Sequence, residues 1–271
     1  MLTGVFGRPY VALDDFFDLS DLEALHDEIC AGLARMPTGY TGGSHRSMGI
    51  MPPEREAEAL TDYQEVIRGL PDAQWATFCE LADDPPAARS ARSLPGPAEF
   101  GEERDLPLSA RQMLWLKMRH RVYFPWKVYA ELIPCARWED KCDAGKRFTR
   151  TAEALFPHLL AFVRRLPFAH VGRCNIMGLE AHDHGTVHRD GAPGRAPEPF
   201  LALCPRGDKR LYVYDAAQQE TSVVEGRVIW FNDCDYHGVL ADPWFRYSVR
   251  VDGPFTPEFS ARLAERYGRP A

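Results

Sequence analysis

From about residue 168 onward, the chain becomes a succession of short β-rich runs separated by turn signals. The runs with strand character are HVGRCNIMGLE, TVHRD, PFLALCP, RLYVYD, TSVVEG, RVIWFND and FRYSVRVD. Polar or Gly- and Pro-rich segments such as GAPGRAPEP and RGD divide them. Roughly six to eight short strands within about 85 residues favour a closed or double-sheet β architecture, because so many short strands must cover their edges.

Residues 1–165 have a different character and are predicted to be mainly helical. Ser20-Asp21-Leu22-Glu23 matches a capping box and precedes apolar residues at helical spacing. Ser109 is placed to cap a helix over RQMLWLKMRHRV, and FPWKVYAEL is predicted to form a further short helix. Residues 145–167 are predicted to form a helix pair interrupted at Pro157.

Two segments of this first part lack periodicity. Residues 84–107 are rich in Pro, Gly, Arg and Ala and indicate an exposed connector. Residues 38–53 are rich in Gly and Pro and indicate a loop, whose His45 and Arg46 are more readily explained as solvated residues than as substrate contacts. The predicted organisation is a helical region over 1–165 and a β core over 166–271, joined in one globular unit.

Composition restricts the class of protein. With 271 residues, 45% hydrophobic and 26% charged, the chain is typical of a globular protein with a sizeable core. A net charge of −7 disfavours a nucleic-acid partner. The N-terminus does not resemble a secretory signal, and no run of about 18 apolar residues suggests a membrane span. Seven scattered cysteines without metal-site spacing favour reduced thiols. We therefore expect a soluble cytoplasmic protein, with its oligomeric state left open.

The strongest chemical signal is the sequence His188-Arg189-Asp190. Residues at positions i and i+2 of a strand project to one face, so this imidazole and carboxylate can converge on one ion. His237 follows the run RVIWFND and lies 49 positions after His188, which makes it the candidate third ligand. Two histidines and one carboxylate form the facial triad of non-haem Fe(II) oxygenases, which leaves three coordination positions open.

A second signal lies nine residues after His237, where Arg246 begins the run RYSVRVD. By the two-residue period of a strand, Arg246, Ser248 and Arg250 project to one face. A guanidinium beside a hydroxyl suits a bound carboxylate, and two cations on an inner face are costly unless paired. The pattern predicts a site for small carboxylate-bearing molecules.

These elements resemble, in order and spacing, the core of the Fe(II)/2-oxoglutarate-dependent oxygenases. The likeness covers residues 173–252 and is carried by NIMGLEAHDHGTVHRD, RLYVYDAAQQETSVVEGRVIWFND, YHGV and RYSVRVD. It points in particular to bacterial amino-acid hydroxylases and to members resembling aspartyl/asparaginyl hydroxylases. The resemblance implies an α+β protein with a double-stranded β-helix (jelly-roll or cupin-like) core. It also implies metal ligands at His188, Asp190 and His237, and a 2-oxoglutarate anchor at Arg246, assisted by Ser248.

The resemblance further implies Fe(II), 2-oxoglutarate and O2 as cofactor and co-substrates. The expected reaction is hydroxylation of an unactivated C–H bond in a small amino acid, peptide or natural-product intermediate; desaturation and ring formation stay open. Candidate substrate contacts, all on predicted strands, are Arg250, Asn175, Tyr212 and Tyr214. One alternative is a hydroxylase of peptide or protein side chains. The other is a cupin-like metal-binding module without oxygenase activity, whose ligands would be His182, His184 and His188.

Overall fold

The computed structural model describes residues 2–36, 50–51, 63–90, 108–122 and 128–268. Within these ranges the protein is an α+β structure with two antiparallel sheets and flanking helices. The strands are β1 (Tyr10–Ala12), β2 (Ile50–Met51), β3 (Val128–Ile133), β4 (Cys174–Leu179), β5 (His184–His188), β6 (Phe200–Leu203), β7 (Leu211–Asp215), β8 (Glu220–Val223), β9 (Val228–Phe231), β10 (Tyr236–Val239) and β11 (Arg246–Asp252). The helices are α1 (Leu22–Arg35), α2 (Tyr63–Arg68), α3 (Asp72–Glu80), α4 (Pro85–Ser90), α5 (Ala110–His120), α6 (Arg150–Leu155), α7 (Pro157–Arg164) and α8 (Pro257–Tyr267).

The chain passes repeatedly between the two sheets. One sheet has the strand order β1-β9-β6-β11-β4-β3, and the other has the order β2-β5-β10-β7-β8. From β4 to β11 the chain changes sheet at every step except between β7 and β8. The first part of the chain also supplies strands to both sheets, since β1 pairs with β9, β2 with β5 and β3 with β4. The strands of residues 166–271 are therefore extended by strands from the predicted helical region.

The two faces of β11 separate the apolar core from a polar interior. Val249 and Val251 belong to a large apolar cluster that includes residues of α1, α6 and α7. Tyr247 shares their face and its hydroxyl lies 2.9 Å from Nδ1 of His26 on α1. Because side chains alternate along a strand, Ser248 and Arg250 project to the opposite face, towards the second sheet. Helices α3 and α5 contribute to a second apolar cluster of their own.

Most of the helix predictions are confirmed. Helix α5 begins after Ser109, whose side chain accepts from the backbone of Gln112 while the Gln112 side chain accepts from Ser109 N, a complete capping box. The break at Pro157 separates α6 from α7. The capping box at Ser20 was wrong, because Asp21 is the residue that precedes α1 and Ser20 N donates instead to Asp18.

The helix predicted for FPWKVYAEL was also wrong where the structure describes it, because residues 128–133 form strand β3. The segment contains good helix formers, but β3 pairs along its length with β4. Its apolar residues alternate with more exposed ones over the first four positions, which suits one buried face of a sheet. Tertiary pairing thus overrides local propensity here.

Part of each predicted irregular segment lies outside the described residues. Of the loop over 38–53, only Ile50 and Met51 are described, and they form β2; His45 and Arg46 lie outside. Of the connector over 84–107, residues 85–90 form α4, which differs from the expectation of an irregular segment, and residues 91–107 lie outside. In the described ranges, no helix is long and apolar enough to cross a membrane.

Candidate metal centre

His188, Asp190 and His237 come together at the ends of two neighbouring strands. His188 is the last residue of β5 and pairs directly with His237 on β10, so the two rings share one face of the sheet. Their ring centroids lie 4.5 Å apart. One donor atom from each of the three residues lies within 4.8 Å of the other two. This spacing is suitable for a single metal ion held by two imidazoles and one carboxylate.

Hydrogen bonds to the backbone fix which ring nitrogens can bind a metal. Nδ1 of His188 lies 2.8 Å from the carbonyl of Thr186, and Nδ1 of His237 lies 2.9 Å from the carbonyl of Asp235. A carbonyl only accepts, so each Nδ1 carries a proton, and the neutral tautomer compatible with this bond presents its lone pair at Nε2. The two Nε2 atoms lie 3.6 Å and 3.9 Å from the same oxygen, Oδ1 of Asp190. Both lone pairs and the carboxylate therefore converge on one point.

Burial supports the neutral, metal-binding form of one ligand. His237 is buried, and this burial lowers the pKa of its imidazole despite the opposing charge of Asp190. The His188 side chain, in contrast, is 38% exposed and that of Asp190 is 20% exposed. The centre is thus closed on the His237 side and reachable from solvent on the His188 side.

Arg250 does not present a free guanidinium to a substrate. Its Nη1 lies 3.3 Å from Oδ2 of Asp190, its Nη2 donates to Asp233 and its Nε donates to Asp252 at 2.8 Å. Burial alone would lower the pKa of Arg250, but the three carboxylates around it raise that pKa instead. The expectation of a substrate-carboxylate contact at Arg250 is therefore not met by this geometry, because carboxylates of the protein already occupy its donors. The plane of the group packs on Phe200, with its central carbon 3.9 Å from the ring centroid.

Arg246 is fully buried, and its terminal donors are also occupied. Its terminal nitrogens donate to four backbone carbonyls, those of Glu180, Asp183, Leu240 and Trp244. Its Nε lies 3.4 Å from Oδ2 of Asp242, within ion-pair distance, but neither atom has a hydrogen-bond partner among the described residues. The terminal nitrogens of Arg246 thus connect the loops that flank β4, β5 and β10 and are not directed at a bound carboxylate.

Ser248 instead faces a buried lysine that the sequence reasoning did not single out. Lys209 Nζ donates to Oγ of Ser248 at 2.8 Å and to the carbonyl of Met177 at 3.1 Å. Burial lowers the pKa of Lys209 to about 8, with a further lowering from Arg246. In the part of the chain that the structure describes, no carboxylate lies within ion-pair distance of this ammonium group. The strand period gives no signal for this lysine, because Lys209 precedes β7 and lies in a turn in which Leu211 N donates to its carbonyl.

Asn175 is a candidate substrate contact that the structure places on the inner face, as it does Arg250. It lies opposite Arg250 in the pairing of β4 with β11 and has no exposed surface. Among the described residues, neither the amide nitrogen nor the amide oxygen of Asn175 has a hydrogen-bond partner. Buried amides are normally bonded, so this unpartnered group indicates a position for a ligand or an ordered water.

Tyr212 and Tyr214 lie on the other side of the sheet. On β10, His237 pairs with Val213, whereas Gly238 pairs with Tyr212 and Tyr236 with Tyr214. Directly paired residues share a face, so both tyrosines project away from the metal centre. The prediction that they line the site was wrong in its choice of face: the period of the strand was correct, but its inner residues are Leu211 and Val213.

Comparisons with known proteins add little to this geometry. No family model matches the sequence, and no curated protein matches it. A solved oxidoreductase of the 2OG-Fe(II) oxygenase family from Burkholderia pseudomallei aligns at 12% identity with a TM-score of 0.33, over 55% of this chain and 82% of that one. A prolyl-4-hydroxylase from Pseudomonas putida aligns at 13% identity with a TM-score of 0.27, over 87% and 100%. TM-scores this low establish neither a shared fold nor a shared activity.

The alternative three-histidine site is not assembled. His182 adopts a left-handed backbone conformation in the turn before β5, and His184 begins β5 opposite Met51. Neither histidine belongs to the group of converging donors. Of the three residues that a cupin-like site would use, only His188 is at the centre.

Proposed function

We propose that this protein is an Fe(II)- and 2-oxoglutarate-dependent oxygenase whose two sheets form a double-stranded β-helix. The observation that carries the proposal is the convergence of the two Nε2 lone pairs and one oxygen of Asp190. Two neutral imidazoles and one carboxylate are the donor set of non-haem Fe(II) centres that activate O2. Three donors on one side leave room for further ligands, which a closed structural site does not.

The chain's own residues would hold the metal and protect its geometry. His188, His237 and Asp190 would supply one donor each, and the carbonyls of Thr186 and Asp235 keep both imidazoles in the tautomer that presents Nε2. Fe(II), when bound together with 2-oxoglutarate, supplies the O2-dependent oxidising chemistry that protein side chains lack. The protein contributes positioning of the reactants and exclusion of water on the buried His237 side.

The spacing of polar groups along β11 supports a dicarboxylate bound between the sheets, with one end at the metal. Arg250, which contacts the ligand Asp190, and Ser248, which contacts Lys209, are two residues apart on β11. Two residues of strand span about 7 Å, close to the length of a five-carbon diacid. We therefore propose that the far carboxylate of 2-oxoglutarate pairs with Lys209 and Ser248, with the unpartnered amide of Asn175 beside the bound molecule. Arg246, the anchor that the family resemblance implies, would instead hold in place the loops next to this site.

The substrate proposed is a small amino acid, peptide or natural-product intermediate, hydroxylated at an unactivated C–H bond. It would approach from the solvent-exposed side of His188, since His237 is buried. A carboxylate contact at Arg250 is not part of the proposal, because protein carboxylates occupy that group.

The test is the conversion of 2-oxoglutarate to succinate by the purified protein with Fe(II) and O2, with small amino acids and short peptides as added substrates. We expect Fe(II)-dependent succinate formation that is abolished in His188→Ala and in Asp190→Ala. His182→Ala is the matched control, because that histidine lies outside the donor group and should retain activity. Equal activity in wild type and His188→Ala, or no succinate from Fe(II)-loaded wild type under any condition, would contradict the proposal.

A further inference from the structure

Asp190 is held by a network of buried charges that reaches well beyond the three candidate ligands. Arg250 lies at its centre and contacts the three carboxylates of Asp190, Asp233 and Asp252. Asp233 also accepts from Lys141 Nζ at 2.8 Å, and Asp252 accepts from Nε of Arg173 at 3.1 Å. All of these groups except Asp190 are at most 5% exposed at the side chain.

The two oxygens of Asp190 have different surroundings. Oδ1 faces Nε2 of both candidate histidine ligands, whereas Oδ2 lies 3.3 Å from Nη1 of Arg250. A carboxylate whose second oxygen is bonded to a guanidinium is restrained in rotation and offers only its first oxygen to a metal. The loop that carries Asp190 is further fixed by its backbone amide, which donates to the carbonyl of Asp233 at 2.8 Å.

The orientation of Arg250 is itself set from several directions. Phe200 packs on one side of its guanidinium at 3.9 Å, and the Trp138 ring lies 4.9 Å away. Asp233 lies between the guanidinium of Arg250 and the ammonium of Lys141 and accepts a hydrogen bond from each. The position of Arg250 is therefore fixed by packing and by charge-assisted hydrogen bonds.

We infer that Arg250 is a positioning residue for Asp190, which makes that carboxylate a ligand through Oδ1 alone and places Oδ1 against the two imidazoles. Lys141 and Asp233 support Arg250 in this role. The inference rests on the proposed metal centre, and it assigns Arg250 to the ligand and not to a substrate. The affinity for a divalent metal should therefore depend on the arrangement of the guanidinium nitrogens of Arg250, and not only on its positive charge.

The test measures Mn²⁺ binding to the full chain by electron paramagnetic resonance of free Mn²⁺, with the melting temperature of the metal-free protein measured alongside. Arg250→Lys keeps the charge, which protects folding, but a single ammonium cannot reach Asp190, Asp233 and Asp252 as the three guanidinium nitrogens do. Changes to groups that orient metal ligands typically weaken metal affinity roughly 10- to 100-fold, and we expect a loss of about that size for Arg250→Lys. Arg250→Met should bind Mn²⁺ at least as weakly if it folds.

Arg173→Met is the matched control. Arg173 is equally buried, pairs with the same Asp252 and packs on the same Trp138 ring at 4.2 Å, but it does not contact Asp190. We expect this variant to lose stability while it keeps Mn²⁺ affinity within about threefold of wild type, well below the loss for a group that orients a ligand. Wild-type affinity in Arg250→Lys, or an equal loss in Arg173→Met, would overturn the inference and leave the proposed oxygenase intact. The expected pattern of affinities without any turnover of 2-oxoglutarate would instead support the inference and refute the oxygenase.

Discussion

Replacing Lys209 with Met should leave the stability of the ligand-free protein nearly unchanged and make 2-oxoglutarate binding weaker. Burial lowers the pKa of Lys209 from 10.5 to about 8, which corresponds to about 3 kcal/mol of destabilisation at pH 7, at roughly 1.4 kcal/mol per tenfold change. Met fills a similar volume without a charge, but it loses the bonds of the ammonium to Met177 and Ser248, at about 1.5 kcal/mol each. The two contributions nearly cancel, so the free energy of unfolding should change by less than about 1 kcal/mol.

The effect on 2-oxoglutarate binding should be larger than the effect on stability. Hydrogen bonds between charged groups contribute about 1.5 to 3 kcal/mol, so loss of the ammonium should weaken 2-oxoglutarate binding by about 10- to 150-fold. Urea denaturation gives the stability, and calorimetric titration of the Mn²⁺-loaded protein gives the affinity. Lys117→Met, on the exposed face of α5, is the control that should leave the 2-oxoglutarate affinity unchanged.

The pH dependence provides a check within the wild-type protein. A carboxylate binds the protonated form of Lys209, so affinity should be constant below pH 8 and fall by up to about tenfold per pH unit above it. In the ligand-free protein the pKa is depressed relative to the unfolded chain, so the unfolded chain binds more protons between pH 8 and 10.5. Stability should therefore rise with pH across that window, and Lys209→Met should remove the rise. Unchanged affinity in Lys209→Met, or destabilisation by several kcal/mol, would refute this reasoning.

Two further substitutions separate structural from ligand-binding roles. Arg246→Met should destabilise the protein by about 3 to 5 kcal/mol in urea denaturation, because it leaves four backbone carbonyls without their buried charged donor, whereas Asp242 keeps its pair with Arg210; a loss below about 1 kcal/mol would contradict the structural role. Asn175→Leu removes an unpartnered buried amide, so thermal melting should show equal or higher stability, while 2-oxoglutarate affinity falls. Unchanged affinity in Asn175→Leu would show that the amide does not contact the co-substrate.

The sequence could predict the parts of the site that depend on strand period and order. The spacing of His188 and Asp190 predicts that both lie on one face, and the position of His237 just after a later strand makes it the third candidate. The structure brings the three residues together, with His237 on β10. The shared face of Ser248 and Arg250 also follows from the period of β11. These features are local, so a single sequence is sufficient to suggest them.

The sequence could not predict which partners complete these side chains, because the partners come from distant loops. The acids around Arg250 and the carbonyls around Arg246 are brought together only by the passage of the chain between two sheets. The choice of inner face on β7, which excludes Tyr212 and Tyr214, likewise depends on its register with β10. Strand β3 was missed for a related reason, since its pairing with β4 decides its conformation.

The most direct test of the central claim is an anaerobic titration of the Fe(II)-loaded protein with 2-oxoglutarate, followed by visible absorption. Chelation of Fe(II) by the keto acid gives a weak metal-to-ligand charge-transfer band. We predict that the band appears in wild type and in His182→Ala, is absent in His188→Ala, and requires a higher 2-oxoglutarate concentration in Lys209→Met. Bound iron without any band in wild type would contradict the assignment of 2-oxoglutarate to this centre.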